Sequence, residues 1–398
     1  MTPLFRKFLG LNWVVFLTMV GLLIFGVFAV YSASWMRTSE YLVNSYLRQI
    51  NWIVLGFVVF FVTSLIDYRW VRYLAVPSYV LGLLCLIALR FIGEEKNQAV
   101  SWLPLPGGIG FQPSQVAIVA GILCLALLLG EMHHFHPVFR HHLLRLAVAG
   151  GLSAVPFFLI VLEPDVGSAF VWIPSVACIL LVASIPFRYL IVITQLGLLA
   201  VPIAYWFVLK DYQKERIDTF KNMLTGAQVD ERGAAWVPRH CVMAVGSAGW
   251  AGKGFKGQKL KRQFPDKKTI TEMNGFIPAT VAINDFIFAV IAEEQGFRGS
   301  TILITAYLLL LLQCLFIAFY SRDQLGRLLV AGIVGLFFAH IFLNIGMNIL
   351  LVPVTGLPLP LISYGGTFIV ICMFLLGLVQ SVWIHRNDTS DSKPSLHS

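Results

Sequence analysis

Ten apolar stretches alternate with polar connections along this chain of 398 residues. A helix needs about 20 apolar residues to cross the hydrocarbon core of a bilayer, and these stretches are close to that length. The pattern therefore predicts ten transmembrane helices. The predicted spans are residues 12–32, 50–66, 74–93, 114–130, 145–162, 166–185, 188–209, 298–320, 327–350 and 362–384.

The longest polar stretch, residues 210–282, separates the seventh span from the eighth. We expect an all-α integral membrane protein with a single polytopic domain over residues 1–387, which carries this large extracytoplasmic loop. A disordered cytoplasmic tail follows over residues 388–398. The first apolar stretch is longer than the roughly 7–15 residues of a signal-peptide core, so we interpret it as an uncleaved anchor.

Composition agrees with a membrane protein. Hydrophobic residues make up 58% of the chain and charged residues only 12%, whereas soluble domains carry about 25% charged residues. The six cysteines show no spacing typical of a metal site or a disulfide framework. The net charge of +9 lies largely in the connections, which favours contact with membrane lipids over nucleic acid.

Lysine and arginine residues in the short connections indicate the orientation, since they are enriched on the cytoplasmic side. With the N-terminus inside, the inner connections and termini receive eleven of them and the outer connections four. We therefore predict that both termini are cytoplasmic and that residues 210–282 lie outside.

The loop of residues 210–282 is strongly basic, with 13 basic and 7 acidic residues. Lys253 and further lysines alternate there with glycines, which let a backbone approach a ligand closely, and lysines bind phosphate as point charges. Two interpretations stay open. The loop is either a cradle for an anionic substrate, such as a lipid pyrophosphate, or a basic surface that lies on anionic headgroups.

Polar residues elsewhere should face the same side of the membrane and converge on one cavity. Residues 353–366 contain three prolines and three glycines, which preclude a regular helix. Irregular backbone at membrane depth must be buried in protein or line a cavity. The candidate substrate-binding residues of this cavity are Arg48, Trp102, Asp165, Arg216, Lys253, Ser363 and Tyr364.

Several of these residues also have a structural interpretation. Arg48 and Asp165 could pair only to clasp the bundle, because a lone charge within the membrane is costly. Trp102 could belong to the aromatic belt at the membrane interface. Ser363 and Tyr364 could satisfy carbonyl groups of the irregular segment instead of touching a substrate.

Asp285 lies where the loop re-enters an apolar helix, and a carboxylate at such a border is costly to desolvate unless it is paired or used. Glu293 and Glu294 follow about 80° and 180° around that helix, so the three carboxylates do not form one cluster. Asp285 is either a general base for an attacking hydroxyl or a cap of the eighth helix. Asn344 and Asn348, four residues apart, are more typical of hydrogen bonds between helices than of a site.

Five separated motifs occur in an order that is similar to a known family. They are QPS at 112–114, PDVGSA at 164–169, DYQKER at 211–216, DFIFAVIAEEQGFRG at 285–299 and GMNILLVPVTGLPLPLISYGG at 346–366. Together they closely resemble the SEDS family (shape, elongation, division and sporulation) of bacterial cell-wall proteins, typified by RodA and FtsW. The resemblance spans roughly residues 45–385.

The resemblance implies a peptidoglycan glycosyltransferase that polymerises lipid II, an undecaprenyl-pyrophosphate-linked disaccharide peptide, at the outer face of the bacterial cytoplasmic membrane. Asp285 matches the family's catalytic aspartate, with the 4-hydroxyl of an acceptor sugar as nucleophile. Trp102 matches its functionally important tryptophan, and Arg216 matches the arginine of the DYQKER motif. Arg48 and Asp165 match the arginine that ends span two and the aspartate of the PDVGSA motif.

A class B penicillin-binding protein transpeptidase and the elongation machinery are the implied partners. Thr355 stands where division-type members usually carry lysine, so the chain is more similar to the RodA type. The sequence shows no dedicated metal cage, although Mg²⁺ or Mn²⁺ could share in neutralising the pyrophosphate. The alternatives are a lipid II flippase and a non-catalytic scaffold for a transpeptidase.

Two positions depart from the family pattern. Gln115 stands where the family usually carries glutamate after the QPS turn. The family also runs from Leu-Pro-Glu-x-x-Thr directly into Asp-Phe. Here the similar residues 264–269 lie about 15 residues before Asp285, and the nearer residues 276–278 lack the acid. The assignment of the substrate loop is therefore weaker than that of Asp285.

Overall fold

Ten long apolar helices follow the predicted spans in a computed structural model, which describes residues 7–35, 40–92, 94–96, 99–105, 109–135, 141–163, 165–207, 209–230, 233–258 and 271–387. Eight of them are long and apolar enough to cross a membrane, and the sixth and seventh contain shorter apolar stretches. The prediction of a ten-helix membrane protein is confirmed. Spans one to ten are Trp13–Ser34, Ser45–Leu65, Val71–Ile92, Pro113–Phe135, His142–Leu162, Val166–Val182, Phe187–Phe207, Ile287–Tyr320, Gln324–Asn348 and Gly366–Ile384.

A small antiparallel sheet is an addition to the helical fold that the sequence predicted. It connects span three to span four in the order β1 (Glu94–Lys96), β2 (Ala99–Leu105) and β3 (Ile109–Phe111). Trp102 lies on β2, opposite Glu94 in the register, and its side chain lies outside the described part of the structure. The strands are too short to show a clear alternation of polar and apolar residues, so the sequence suggested only a polar connection.

Spans four, nine and ten are the most buried helices of the bundle. Small residues let the backbones approach closely, as is usual between membrane helices. Gly335 of span nine packs on span six so tightly that an added Cβ would lie 2.7 Å from the carbonyl oxygen of Pro174. The interior of the bundle is therefore tightly packed, and the lipid-facing apolar side chains lie on the outer spans.

The broken segment, residues 353–365, has no helical structure; it is half-buried at residues 353–355, exposed at Gly356 and mostly buried among the spans from Leu357 onward. Backbone carbonyl groups at membrane depth need hydrogen-bond donors, and polar side chains of other spans provide them. The pairs are Gln49 Nε2 to Ile362 O (3.2 Å), Tyr307 OH to Pro360 O (2.6 Å), His340 Nδ1 to Pro358 O (3.3 Å) and Asn344 Nδ2 to Leu357 O (2.6 Å).

The loop of residues 210–282 is folded over most of its described length. It contains helices Asp211–Thr225 and Trp236–Gly246 and the short helices Glu272–Gly275 and Ala279–Asn284. Residues 259–270, which include the unusual approach at 264–269, and the predicted tail at 388–398 lie outside the described residues. We call the end of the bundle that carries this loop the loop end.

Candidate active site at the loop end

Asp285 lies at the junction between the loop and span eight. It ends the helix Ala279–Asn284, where its N–H group donates to the Val281 carbonyl oxygen over 3.1 Å. Span eight is itself broken at Gly296, whose φ of 69° and ψ of −162° are adopted readily only by glycine. Asp285 therefore precedes a half-helix, residues 287–295, that is separate from the rest of span eight.

The carboxyl group of Asp285 does not cap this half-helix. The residue is half-buried, and no described backbone N–H group donates to its side chain. The helix instead begins at Phe286 without a side-chain cap. Of the two interpretations of the sequence, the structure thus favours a carboxyl group that is left available for chemistry.

Three successive backbone carbonyl groups hold Asp285 against the rest of the bundle. The oxygens of residues 283, 284 and 285 accept hydrogen bonds from the Tyr364 N–H group (2.9 Å), from Ser363 Oγ and from Asn344 Nδ2 (2.8 Å), respectively. Ser363 is fully buried and also accepts from the backbone. Its position therefore favours the structural interpretation over direct contact with a substrate.

Burial and a neighbouring positive charge have opposite effects on the pKa of Asp285. Burial raises the pKa of its carboxyl group to about 6, and the positive charge of Arg216 lowers that pKa. The Arg216 guanidinium lies 5.6 Å from the ring centre of Tyr212. Burial also raises the pKa of Tyr212, with a further contribution from the Asp165 carboxylate and opposition from Arg216. Asp165, Tyr212, Arg216 and Asp285 are therefore close enough to influence one another electrostatically.

Asp165 is the N-cap of span six and joins it to span four. Its carboxylate accepts hydrogen bonds from Gln112 Nε2 (2.8 Å), Ser114 Oγ (3.0 Å) and both the N–H (3.1 Å) and Oγ (2.7 Å) of Ser168. Gln115, the residue that departs from the family pattern, also reaches Ser168 Oγ at 3.5 Å. These neutral donors satisfy the carboxylate without an arginine.

The predicted ion pair between Arg48 and Asp165 is therefore wrong, because the two residues have different partners. Arg48 Nε donates to the Tyr364 hydroxyl group over 3.0 Å. Both residues nevertheless border the broken segment: an added Cβ on Gly167 would lie 2.6 Å from the Thr355 carbonyl oxygen. The segment thus brings the Asp165 and Arg48 regions to the same place as Asp285.

The glycine loop, residues 246–257, packs its backbone against the break in span eight. In an unbroken helix, the N–H groups of residues 297 and 298 would donate to the carbonyl oxygens of residues 293 and 294. The break at Gly296 removes these two hydrogen bonds. The loop replaces them. Lys253 and Gly254 N–H groups donate to the carbonyl oxygens of residues 293 and 294 (2.9 and 2.8 Å), and residues 297 and 298 donate to those of residues 249 and 250 (2.9 and 3.1 Å).

Lys253 has a buried carboxylate as its partner. Its ammonium group lies 2.7 Å from Glu293 Oε1, and Glu293 also accepts from the N–H groups of Glu272 (2.8 Å) and Met273 (3.0 Å). Glu293 is eight residues beyond Asp285, or about 12 Å along a helix. Lys253 therefore lies at the far end of the half-helix from Asp285, and its contacts favour a structural role over the predicted substrate contact.

Three residues of this site were missed or undervalued in the sequence. Tyr212 lies within the DYQKER motif, but the motif drew attention only to Arg216. Asn344 was interpreted as a contact between helices, whereas it contacts the backbone of Asp285 itself. The structural role of Glu293 has one signal in the sequence: an acid three residues before a glycine within an apolar helix.

These features define a polytopic membrane protein with a candidate active site at one end of its helix bundle. The chain belongs to the FtsW/RodA/SpoVE family of cell cycle proteins, whose model matches residues 12–388. This membership confirms the resemblance that the five motifs indicated.

Named relatives cover nearly the whole chain. It is 31% identical to the peptidoglycan glycosyltransferase MrdB of Escherichia coli K12, over 94% of each chain. It is 28% identical to the peptidoglycan glycosyltransferase RodA of Treponema pallidum, over 93% of this chain and 97% of the relative.

Two solved structures share the fold. One is a chain of a peptidoglycan synthase complex that coordinates polymerization and crosslinking, with a TM-score of 0.75, 26% identity and coverage of 95% of this chain and 99% of the other. The other is the rod shape determining protein RodA of Thermus thermophilus, with a TM-score of 0.66, 25% identity and coverage of 95% and 98%.

Proposed function

We propose that this protein is a peptidoglycan glycosyltransferase that polymerises lipid II, with Asp285 as its general base. The observation that carries the proposal is the half-buried Asp285 carboxyl group, with its pKa raised to about 6, beside Arg216. A base works best when its pKa is close to the working pH. The names of the relatives, which are peptidoglycan glycosyltransferases, support the same activity.

In the proposed reaction, Asp285 takes the proton from the 4-hydroxyl group of an acceptor sugar. The oxygen then forms a bond to the anomeric carbon of the donor sugar, and the bond from that carbon to the undecaprenyl pyrophosphate breaks. The pyrophosphate leaves with the electron pair, and Arg216 stabilises its charge. Asp285 returns its proton to water before the next cycle.

A divalent cation could share in neutralising the pyrophosphate. Among the described residues, no group of three His, Cys, Asp or Glu residues is placed to hold a metal ion. Mg²⁺ commonly binds through substrate phosphates and only one or two carboxylates. We therefore assign such an ion, Mg²⁺ or Mn²⁺, mainly to the oxygens of the substrate.

We propose a location in the bacterial cytoplasmic membrane, with both termini inside and the loop end outside, where lipid II is polymerised. The partner would be a class B penicillin-binding protein transpeptidase of the elongation machinery. Thr355 supports the elongation type. A solved relative comes from a complex that coordinates polymerization and crosslinking, which supports a transpeptidase partner.

The test is polymerisation of labelled lipid II by the purified protein, by Asp285→Ala and by Asp218→Ala. Asp218 is a matched control because it is an exposed carboxylate of the same loop. We expect glycan strands from wild type and Asp218→Ala and none from Asp285→Ala. Equal product from Asp285→Ala would overturn the catalytic assignment. If none of the three proteins, wild type included, makes product but lipid II still crosses the liposome membrane, a flippase would be favoured.

A further inference from the structure

Asn344 and Asn348 lie one helical turn apart on span nine, and both side chains are fully buried. Both bond to the backbone at Asp285 or just after it. Asn344 Nδ2 donates to the Asp285 carbonyl oxygen (2.8 Å), and Asn348 Oδ1 accepts from the Ala289 N–H group (3.2 Å) in the first turn of the half-helix. Asn348 Nδ2 in turn donates to the Asn344 carbonyl oxygen over 2.7 Å.

The Asn344 amide adds a second link between the Asp285 backbone and the broken segment, beside the bonds that Ser363 and Tyr364 make to residues 283 and 284. The same nitrogen donates to the Asp285 carbonyl oxygen and, over 2.6 Å, to that of Leu357 in the broken segment. An amide NH₂ group has two hydrogens in one plane, so each acceptor can take its own. One planar amide group therefore bridges the Asp285 carbonyl oxygen and that of residue 357 directly.

That distance matters because the broken segment forms a wall beside the carboxyl group. Gly356 adjoins Leu357 and has a φ of +69°, and an added Cβ there would lie 3.8 Å from Asp285 Oδ2. A shift of Leu357 against Asp285 would move this wall relative to the carboxyl group. Asn344 itself contacts the carbonyl oxygen of Asp285, so it acts on position and not on the charge.

We propose that Asn344 is a positioning residue of the active site, which fixes the Asp285 carboxyl group against the backbone of residues 355–357. The proposal rests on the proposed function, in which Asp285 is the base. A misplacement of about 1 Å in a catalytic group can lower a rate about a hundredfold. Loss of the Asn344 amide should therefore lower kcat while substrate binding is retained.

The experiment uses Asn344→Asp, which keeps the shape but removes the donor, and Asn344→Ala. The matched control is Gln380→Glu, because Gln380 of span ten is also fully buried. Its side chain bonds to both backbone groups of Asn12 (2.8 and 2.9 Å) and not to the Asp285 region. For each variant, the folded fraction is measured by size-exclusion chromatography and thermal unfolding in detergent. Polymerisation of lipid II then gives kcat and KM per folded molecule.

We expect both Asn344 variants to lower kcat about 10- to 100-fold, with KM within about twofold of wild type, and Gln380→Glu to lower Tm but leave kcat unchanged. Asn344→Asp should also move the acid limb of the pH–rate profile to higher pH, because a second carboxyl group raises the pKa of Asp285. Asn344→Ala should not.

Wild-type kcat in the folded fraction of both Asn344 variants would overturn the positioning role. The positioning role would also be overturned if Asn344→Ala and Gln380→Glu lost kcat in the same proportion to their loss of Tm. Asp285→Asn is run beside them to separate the two proposals. If Asp285→Asn keeps full activity, the proposed base is wrong; if it is inactive and the Asn344 variants are fully active, only the positioning role is wrong.

Discussion

At the scale of the residue, Asp285 is a carboxyl group with a raised pKa and without a described side-chain hydrogen bond. The sequence located this residue and its border position, because a lone acid at a loop–membrane junction stands out. It could not show whether the acid caps a helix, since that depends on where the half-helix begins. In the structure the N-cap position is one residue later, at Phe286, which leaves the Asp285 carboxyl group available.

The activity should depend on pH through Asp285. Its pKa is raised to about 6, and a general base must be ionised to accept a proton. We expect kcat/KM for lipid II polymerisation to be constant above about pH 7 and to fall about tenfold per pH unit below about pH 5. A rate profile between pH 4.5 and 8 checks this. A profile that is flat down to pH 4.5 would contradict it.

Asp285→Asn should stabilise the protein at neutral and alkaline pH. The folded state raises the pKa of Asp285 above the value of 3.8 that it has in an unfolded chain, so ionisation destabilises the folded state as the pH rises through the interval from about 4 to 6. The gain from Asp285→Asn should reach up to about 3 kcal/mol at pH 8 and vanish near pH 4. Thermal unfolding in detergent at both pH values measures it, with Asp218→Asn as the exposed control.

At the scale of the element, the half-helix of residues 287–295 is held at both ends. Asn344 and Asn348 bond to its start, and the glycine loop bonds to its end. This arrangement could not be predicted from the sequence, because the hydrogen bonds that replace those of the broken helix come from residues about 40 positions earlier in the chain. The glycines suggested close backbone approach correctly, but the partner of that approach is span eight and not a ligand.

The pair Lys253–Glu293 should be structural. Removal of one partner leaves a buried charge uncompensated, which typically costs about 3–5 kcal/mol, whereas removal of both charges costs much less. We expect Lys253→Met to lower the stability by about 3 kcal/mol and Lys253→Met/Glu293→Gln to recover at least half of it. Thermal unfolding in detergent measures the stability, and polymerisation per folded molecule should be close to wild type in the double variant. A double variant that is stable but inactive would instead support the prediction that Lys253 contacts the substrate.

Span one supports the broken segment through Gly26. An added Cβ there would lie 2.8 Å from the Leu361 carbonyl oxygen and 2.9 Å from Ile362 Cα. We expect Gly26→Ala to destabilise the protein by about 1–3 kcal/mol, because backbone must shift. Gly21→Ala is the matched control on the same helix: no atom lies within 4 Å of its added Cβ, so it should be neutral or stabilise by up to about 1 kcal/mol. Equal effects of the two variants on Tm would contradict this.

At the scale of the whole molecule, the number and order of the spans follow from the sequence because a bilayer fixes the length of each apolar helix. What the sequence could not supply is the set of contacts around the broken segment. Gln49, Tyr307, His340 and Asn344 look like isolated polar residues in apolar helices, and only the packed bundle shows that all four donate to one segment. The prediction of an Arg48–Asp165 ion pair was wrong for the same reason, because neutral donors from neighbouring residues bond to the Asp165 carboxylate.

The proposed orientation predicts which end of the bundle is accessible from outside the cell. Ala227 is an exposed residue of the loop end, and His141 is an exposed residue of a connection predicted to be cytoplasmic. We expect a membrane-impermeant maleimide to label Ala227→Cys in cells with a permeable outer barrier and His141→Cys only after lysis. Wild type is the control, because four of its six cysteines are buried and two are half-buried. The reverse labelling pattern would invert the topology.

The broken segment also has a consequence for the biogenesis of the protein. Its donors from spans two, eight and nine, and the backbone of residues 283–285 that it holds, all precede it in the chain. Segments emerge from the ribosome in order, N-terminal first, so these partners are already synthesised when residues 353–365 appear. The irregular backbone therefore enters a bundle that can satisfy it at once, and the candidate active site is completed last, when span ten closes the bundle.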